Sequence, residues 1–236
     1  MSVPLLRWDV PGPYEVVFTT RAGGVSEGPF ESLNLGRKTG DDVERVDENR
    51  RRLCVEAGAD EEDLTLGYQT HSTMVNRARA GSRGAPGDGL WTDEPGVPML
   101  ALGADCALIG MARTNGLKPA LAVLHAGWRG LLDGIVESAA TILGPGFAAV
   151  VGPTIGPCCY EVGDEVARPF RARFGEEIVS DGKLDLWTAA EQAARGAGAT
   201  AVDRLDLCTR CNADLFFSER RTGRPRGTQG VLGLVR

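Results

Sequence analysis

The stretch His125-Ala126-Gly127-Trp128-Arg129-Gly130 governs the reading of this chain. It follows residues 119–124 (PALAVL), an apolar run whose length predicts a buried strand. It precedes residues 131–143, which predict a helix. A strand ending in His-Ala-Gly delivers an imidazole at a strand-to-helix turn, where glycine lets the backbone pass close to a ligand. The chain has only two histidines, and the other, His71, sits in the polar segment Gln69-Thr70-His71-Ser72. Cys106 follows Asp105 beside further apolar runs. Two histidines and a cysteine at strand ends make a candidate three-ligand metal site with one open position. Zinc accepts imidazole nitrogen and thiolate sulfur, and three protein ligands with a fourth place open is the catalytic pattern. Copper is also compatible by ligand type, with Met74 or Met111 as a weak axial ligand. A multicopper oxidase needs more imidazoles than two and is rejected.

Length and composition set the frame. The 236 residues form one domain, 1–236, with 42% hydrophobic and 25% charged residues. The net charge of −6 offers no basic stripe for nucleic acid. The first residues lack the basic and apolar blocks of a signal peptide, and no run approaches a membrane span, so a cytoplasmic protein is expected. The six cysteines then read as reduced thiols. Cys208 and Cys211 form a lone C-x-x-C, half of a zinc ribbon; Cys158 and Cys159 have no gap between them and do not match the other half. Ordinary buried thiols are the expectation for these four.

Residues 14–20 (YEVVFTT) predict a strand that runs into the glycine-rich loop Arg21-Ala22-Gly23-Gly24, which could cradle an anion through its N–H groups. Asp41, with Glu44 three residues on and Gly58 at the end, predicts a capped helix. Val43, Val46, Arg50, Leu53, Cys54 and Ala57 share its face, with Arg50 either snorkelling at the edge or pointing into a site. Residues 64–69, 97–102, 107–112, 148–151, 200–207 and 230–235 predict strands. Residues 80–88 read as an exposed loop, residues 163–174 as a helix interrupted by Pro169, and residues 184–196 and 213–218 as helices. The irregular alternation gives an α/β or α+β class with a mixed sheet.

These segments together carry a resemblance. Thr20-Arg21-Ala22-Gly23-Gly24 with Ser32-Leu33-Asn34-Leu35, Gln69-Thr70-His71, Ala104-Asp105-Cys106, the His125–Gly130 stretch, and Gly152-Pro153 through Ile155-Gly156-Pro157-Cys158-Cys159-Tyr160-Glu161-Val162 resemble the laccase-domain family, often labelled polyphenol oxidase. The motifs run in order from residue 19 to about Gly223-Arg224. The resemblance implies a layered α/β sandwich, a central mixed sheet flanked by helices. It implies purine nucleoside phosphorylase activity with adenosine deaminase side activity, and zinc on His71, Cys106 and His125. It further implies that Arg21, Asn34, Arg50, Gln69 and Arg129 line the pocket. Thr70-His71-Ser72 departs from the usual Val-His-Gly, and Ala107-Leu108 follows Cys106 where a proline is common nearby; neither change touches a ligand.

The expected partners are therefore a purine nucleoside and phosphate, without nucleic acid or membrane. Phosphorolysis must hold a dianion, which suits Arg21, Arg50 or Arg129. Deamination would use zinc to activate water for attack on C6 of adenine, with Asp105 or Asp88 shuttling the proton unless Asp105 only orients its turn. A copper oxidoreductase acting on phenols, a Cys106–His125 hydrolase, a non-catalytic binding module and an editor of cell-wall precursors stay open as alternatives.

Overall fold

The computed structural model describes residues 2–236. Two mixed six-stranded sheets face each other, and helices cover the outer face of each. The first sheet runs Leu5–Arg7, Tyr14–Thr19, Gln229–Val235, Met99–Gly103, Thr65–Tyr68, Arg83–Pro86. The second runs Ala199–Arg204, Phe147–Val151, Ala107–Arg113, Leu121–Ala126, Gly89–Thr92, Val75–Arg77. The expected layered sandwich is present, with two mixed sheets in place of one central sheet. Among the described residues, no helix is long and apolar enough to cross a membrane.

Strand periodicity explains the layers. In Leu121–Ala126, Ala122, Leu124 and Ala126 pack toward helices, while Leu121 and Val123 pack toward the other sheet. With both faces dry, the strand reads as a continuous apolar run instead of an alternating one. The sheets approach closely where glycines allow it. A Cβ on Gly110 would lie 2.8 Å from Val16 Cγ1, and one on Gly233 would lie 2.7 Å from Val123 Cγ1.

Helix α1 (Val43–Ala57) covers the first sheet through Leu53, Cys54 and Ala57. Its cap is Asp42, which accepts from Glu44 N, and it ends at Gly58 with φ 68°. The expected cap, Asp41, instead accepts from Ser26 Oγ and Asn34 Nδ2. Val43 leaves the predicted stripe and is exposed. The helix predicted after the His125 turn splits at Gly134, φ 102°, into α2 (Trp128–Asp133) and α3 (Ile135–Leu143). Helix α4 (Asp164–Phe174) continues through Pro169, because the carbonyl this proline leaves unbonded belongs to exposed Glu165. Helix α5 (Leu186–Gly196) is capped by Asp185.

Two local expectations fail for tertiary reasons. The glycine- and proline-bearing segment 80–88 contains the exposed edge strand Arg83–Pro86, which pairs in parallel with Thr65–Tyr68. Residues 213–218 are not helical, because the Gln229 side chain takes both Phe217 N and Phe217 O. The short helix there is α6 (Glu219–Thr222), capped by Ser218.

Strand direction gathers the chemistry at one edge. Leu121–Ala126 is antiparallel to Ala107–Arg113, so His125 lies opposite Leu108, and Cys106, just ahead of Ala107, stands at the start of that neighbouring strand. In the first sheet, Gln229 pairs with Gly103, and Thr65–Tyr68 runs parallel to Met99–Gly103 toward His71.

Candidate functional site

At that edge lies a cavity of about 800 Å³, lined from both sheets and containing His71, Cys106 and His125. The size is that of a small-molecule site. The donor atoms of these three residues all lie within 4.8 Å of one another. Cys106 Sγ is 3.9 Å from His71 Nε2, and the two imidazoles meet edge-on with centroids 4.9 Å apart. Two of the backbone positions here are ones that L-residues rarely adopt: His71 has φ 62° and Asp105 has φ 97°. Such conformations persist where surrounding bonds over-determine them, and they cluster at functional sites.

Asp88 supplies those bonds on one side. Its buried carboxylate accepts from the backbone N–H groups of Thr70, His71 and Ser72, from Ser72 Oγ, and from His125 Nδ1 at 2.8 Å. Burial opposes its ionisation, but the His125 and backbone donors outweigh it and hold the carboxyl well below the usual carboxylate range. With Nδ1 committed to Asp88, His125 presents Nε2, the arrangement of a metal-binding imidazole with a carboxylate behind it. On the other side Asp105 accepts from Thr209 Oγ1, Ser218 Oγ and Arg220 N, which fixes the turn that delivers Cys106.

The donor set fits a metal ion. Burial opposes charge on the Cys106 thiol, yet the imidazoles of His125 and His71 draw its pKa down to about 6, leaving a thiolate at neutral pH. Burial likewise opposes charge on His125, but Cys106 and Asp88 raise its pKa to about 9, so that without metal the two form a thiolate–imidazolium pair whose Nε2 proton a metal ion would displace. Gly127 leaves room for the group: a Cβ there would lie 2.3 Å from His71 Cδ2 and 3.4 Å from Cys106 Sγ. Both histidines of the chain sit in this one group, so an array of histidine-bound coppers has no residues to hold it.

Of the five residues that the resemblance assigns to the pocket, the cavity takes in Arg50 and Gln69. Arg50 is 5% exposed, and its Nε and Nη2 both donate to Leu35 O. Gln69 bonds through Nε2 to Leu102 O and accepts from Leu102 N, extending the sheet edge with its side chain. Arg21 lies outside the cavity. It donates to Glu31 O and Ala213 O and stacks 4.7 Å over Phe217, so it joins two loops. Asn34 is also outside, fully buried, with its amide spent on the 36–41 turn and Thr228 N. Arg129 is exposed and stacks on Trp128, which does line the cavity. The sequence reading missed Lys38, Tyr160 and Arg220 in the lining; the Tyr160 ring carries Arg220 at 5.0 Å. Tyr160 stood within a quoted motif and was the one accessible signal.

The family described as multi-copper polyphenol oxidoreductase laccase matches residues 15–235. The chain belongs to that family. Among relatives of this laccase-family chain, a purine nucleoside phosphorylase of Pseudomonas aeruginosa is 37% identical over 92% of each chain. A purine nucleoside phosphorylase of Deinococcus radiodurans is 38% identical over 100% of this chain and 94% of its own. The crystal structure of YlmD from Geobacillus stearothermophilus superposes with a TM-score of 0.89 at 31% identity, covering 98% of this chain and 96% of that one.

Proposed function

We propose that this chain is a zinc-dependent purine nucleoside phosphorylase of the cytoplasm, converting adenosine or inosine and phosphate to base and ribose-1-phosphate, with deamination of adenosine as a side activity. The observation that carries the reading is the buried guanidinium of Arg50, which makes no ion pair among the described residues. Arg37, Arg50 and Arg83 all line the cavity, but the nearby acids Asp47 and Glu61 pair with Arg37 and Arg83. Among the described residues, Arg50 is left with the Leu35 carbonyl alone. Burial, with the neighbouring arginines, lowers its pKa to about 10, still far above neutrality. A buried cation without a carboxylate costs free energy unless an anion joins it, and phosphate is the anion this reaction requires.

In phosphorolysis a phosphate oxygen bonds to C1′ as the bond from C1′ to the purine nitrogen breaks. The base leaves with that electron pair and takes up a proton. Arg50 would hold the attacking dianion through its guanidinium, and Tyr160 or Trp128 gives the purine an aromatic face. When bound, zinc would supply Lewis acidity at His71, Cys106 and His125. Asp88 keeps His125 in its donor tautomer, and Asp105 holds the Cys106 turn. Because both carboxylates are occupied in hydrogen bonds that hold the site together, we rank deamination second.

The test is incubation of zinc-loaded protein with inosine or adenosine, with and without phosphate, and chromatographic separation of the products. Phosphate-dependent release of base with ribose-1-phosphate is expected. Arg50→Met should raise the KM for phosphate by about ten- to a hundredfold, since charge-assisted bonds are worth roughly 1.5–3 kcal/mol, with Arg50→Lys in between. Base release at the same rate without phosphate would overturn phosphorolysis in favour of hydrolysis.

A further inference from the structure

Four of the six cysteines, in two pairs far apart in the chain, meet at a second place in the fold. Cys158 and Cys159 follow the strand Phe147–Val151, and Cys208 and Cys211 follow Ala199–Arg204. These strands pair in parallel, so both following loops leave the sheet at the same edge. Backbone bonds then zip the loops together: Thr154 N donates to Leu207 O and Thr209 N donates to Thr154 O, both at 3.2 Å. The turn at Gly156, whose carbonyl accepts from both Cys159 N and Tyr160 N, presents two adjacent sulfurs to one point.

The distances select the occupant. All four Sγ atoms lie within 4.8 Å of one another, with Cys159 3.4 Å and Cys158 3.6 Å from Cys211. Tetrahedral zinc with bonds of about 2.3 Å separates its sulfurs by about 3.8 Å, whereas a disulfide needs about 2.05 Å. The Gly156 N–H also donates to Cys208 Sγ at 3.3 Å, the kind of bond that supports a metal thiolate. Burial opposes ionisation of Cys208, but the N–H groups of Gly156 and Cys211 lower its pKa. Burial and the neighbouring sulfurs raise that of Cys158. Four thiols so crowded cannot ionise together unless a cation joins them.

We propose that Cys158, Cys159, Cys208 and Cys211 form a second metal site, a closed tetrathiolate for a thiophilic divalent cation, zinc foremost. With four protein ligands it has no open position, so its work is structural. It clamps the loop carrying Ile155 and Tyr160 to the segment carrying Thr209 and Arg220. Ile155 N donates to Asp105 O and Thr209 Oγ1 to Asp105 Oδ1, while Tyr160 and Arg220 line the cavity. The cation would thus hold one wall of the cavity and the turn bearing Cys106.

Metal counting separates this site from the His71–Cys106–His125 group without any activity assay. Full-length protein purified under reducing conditions should carry two zinc equivalents per chain, and Cys106→Ala should keep one. Loaded with cobalt, folded Cys106→Ala should show a thiolate-to-cobalt absorption band of the strength given by four thiolates. Adding Cys211→Ser, at the exposed corner of the cluster, should weaken that band and lower cobalt affinity at least tenfold. Folding is checked by circular dichroism. If Cys211→Ser prevents folding, the band of Cys106→Ala alone gives the answer. Folded Cys106→Ala that takes up no zinc or cobalt under reductant overturns the proposal. So does a mass spectrum of the purified protein showing a disulfide among the four.

Discussion

Replacing Asp88 by asparagine should damage fold and metal site together, and the structure sets the size. Oδ2 accepts from Thr70 N, Ser72 N and Ser72 Oγ; Oδ1 accepts from His71 N and His125 Nδ1. An asparagine keeps the shape but turns one oxygen into an NH2 donor. Whichever way the amide faces, two N–H donors lose their acceptor unless His125 moves its ring proton to Nε2, where it blocks metal binding; the Ser72 hydroxyl can rotate to accept. At roughly 1.5–3 kcal/mol for each charge-assisted bond, the loss is about 3–6 kcal/mol. That is a large part of the roughly 5–15 kcal/mol a domain possesses, and thermal unfolding should fall by on the order of 10 °C. The His125 ring is also released, and loss of such a partner weakens metal binding roughly ten- to a hundredfold. Thermal scans of metal-free protein measure the first effect, and chelator competition measures the second. Zinc affinity equal to wild type in folded Asp88→Asn would refute the claim that this carboxylate orients His125.

Gly127→Ala should empty the His71–Cys106–His125 group, because its Cβ would lie 2.3 Å from the His71 ring; a full zinc complement at this site in the variant would contradict the close approach. Arg21→Met should lower the unfolding temperature, because the guanidinium ties Glu31 O to Ala213 O, and should leave the KM for phosphate unchanged; a rise in that KM would return the loop to the site. Glu48 has its pKa lowered to about 2 by Arg51 and Arg52 against a small opposing burial, yet the pairs are solvent-screened. Glu48→Gln should therefore cost less than about 1 kcal/mol. A depressed pKa stabilises above the unfolded value of about 4.3 and is lost as pH falls toward about 2, so variant and wild type should converge below pH 4 in denaturant titrations. A constant gap across that range would show that packing, not charge, is responsible.

What the sequence by itself determined was local. Apolar runs long enough to be strands, each ending at His71, Cys106 or His125, follow from strand periodicity and from turn residues that stop a strand. Those signals do not depend on what lies across the fold. The scarcity of histidine then limits any imidazole site to these two residues. The partners of these residues were a tertiary matter. Arg21 sits in a glycine-rich loop and Arg50 on the apolar stripe of α1, and only the packing of α1 turns Arg50 into the cavity while Phe217 and two carbonyls hold Arg21 away. Asp88 lies 37 residues before His125 in sequence and meets it because Gly89–Thr92 and Leu121–Ala126 are neighbouring strands. The four-cysteine cluster has the same cause. Its two halves are too far apart for a spacing rule to join, and the parallel pairing of Phe147–Val151 with Ala199–Arg204 carries both to one edge. Spacing in sequence records which residues share a turn or a face; sheet order decides which turns become neighbours.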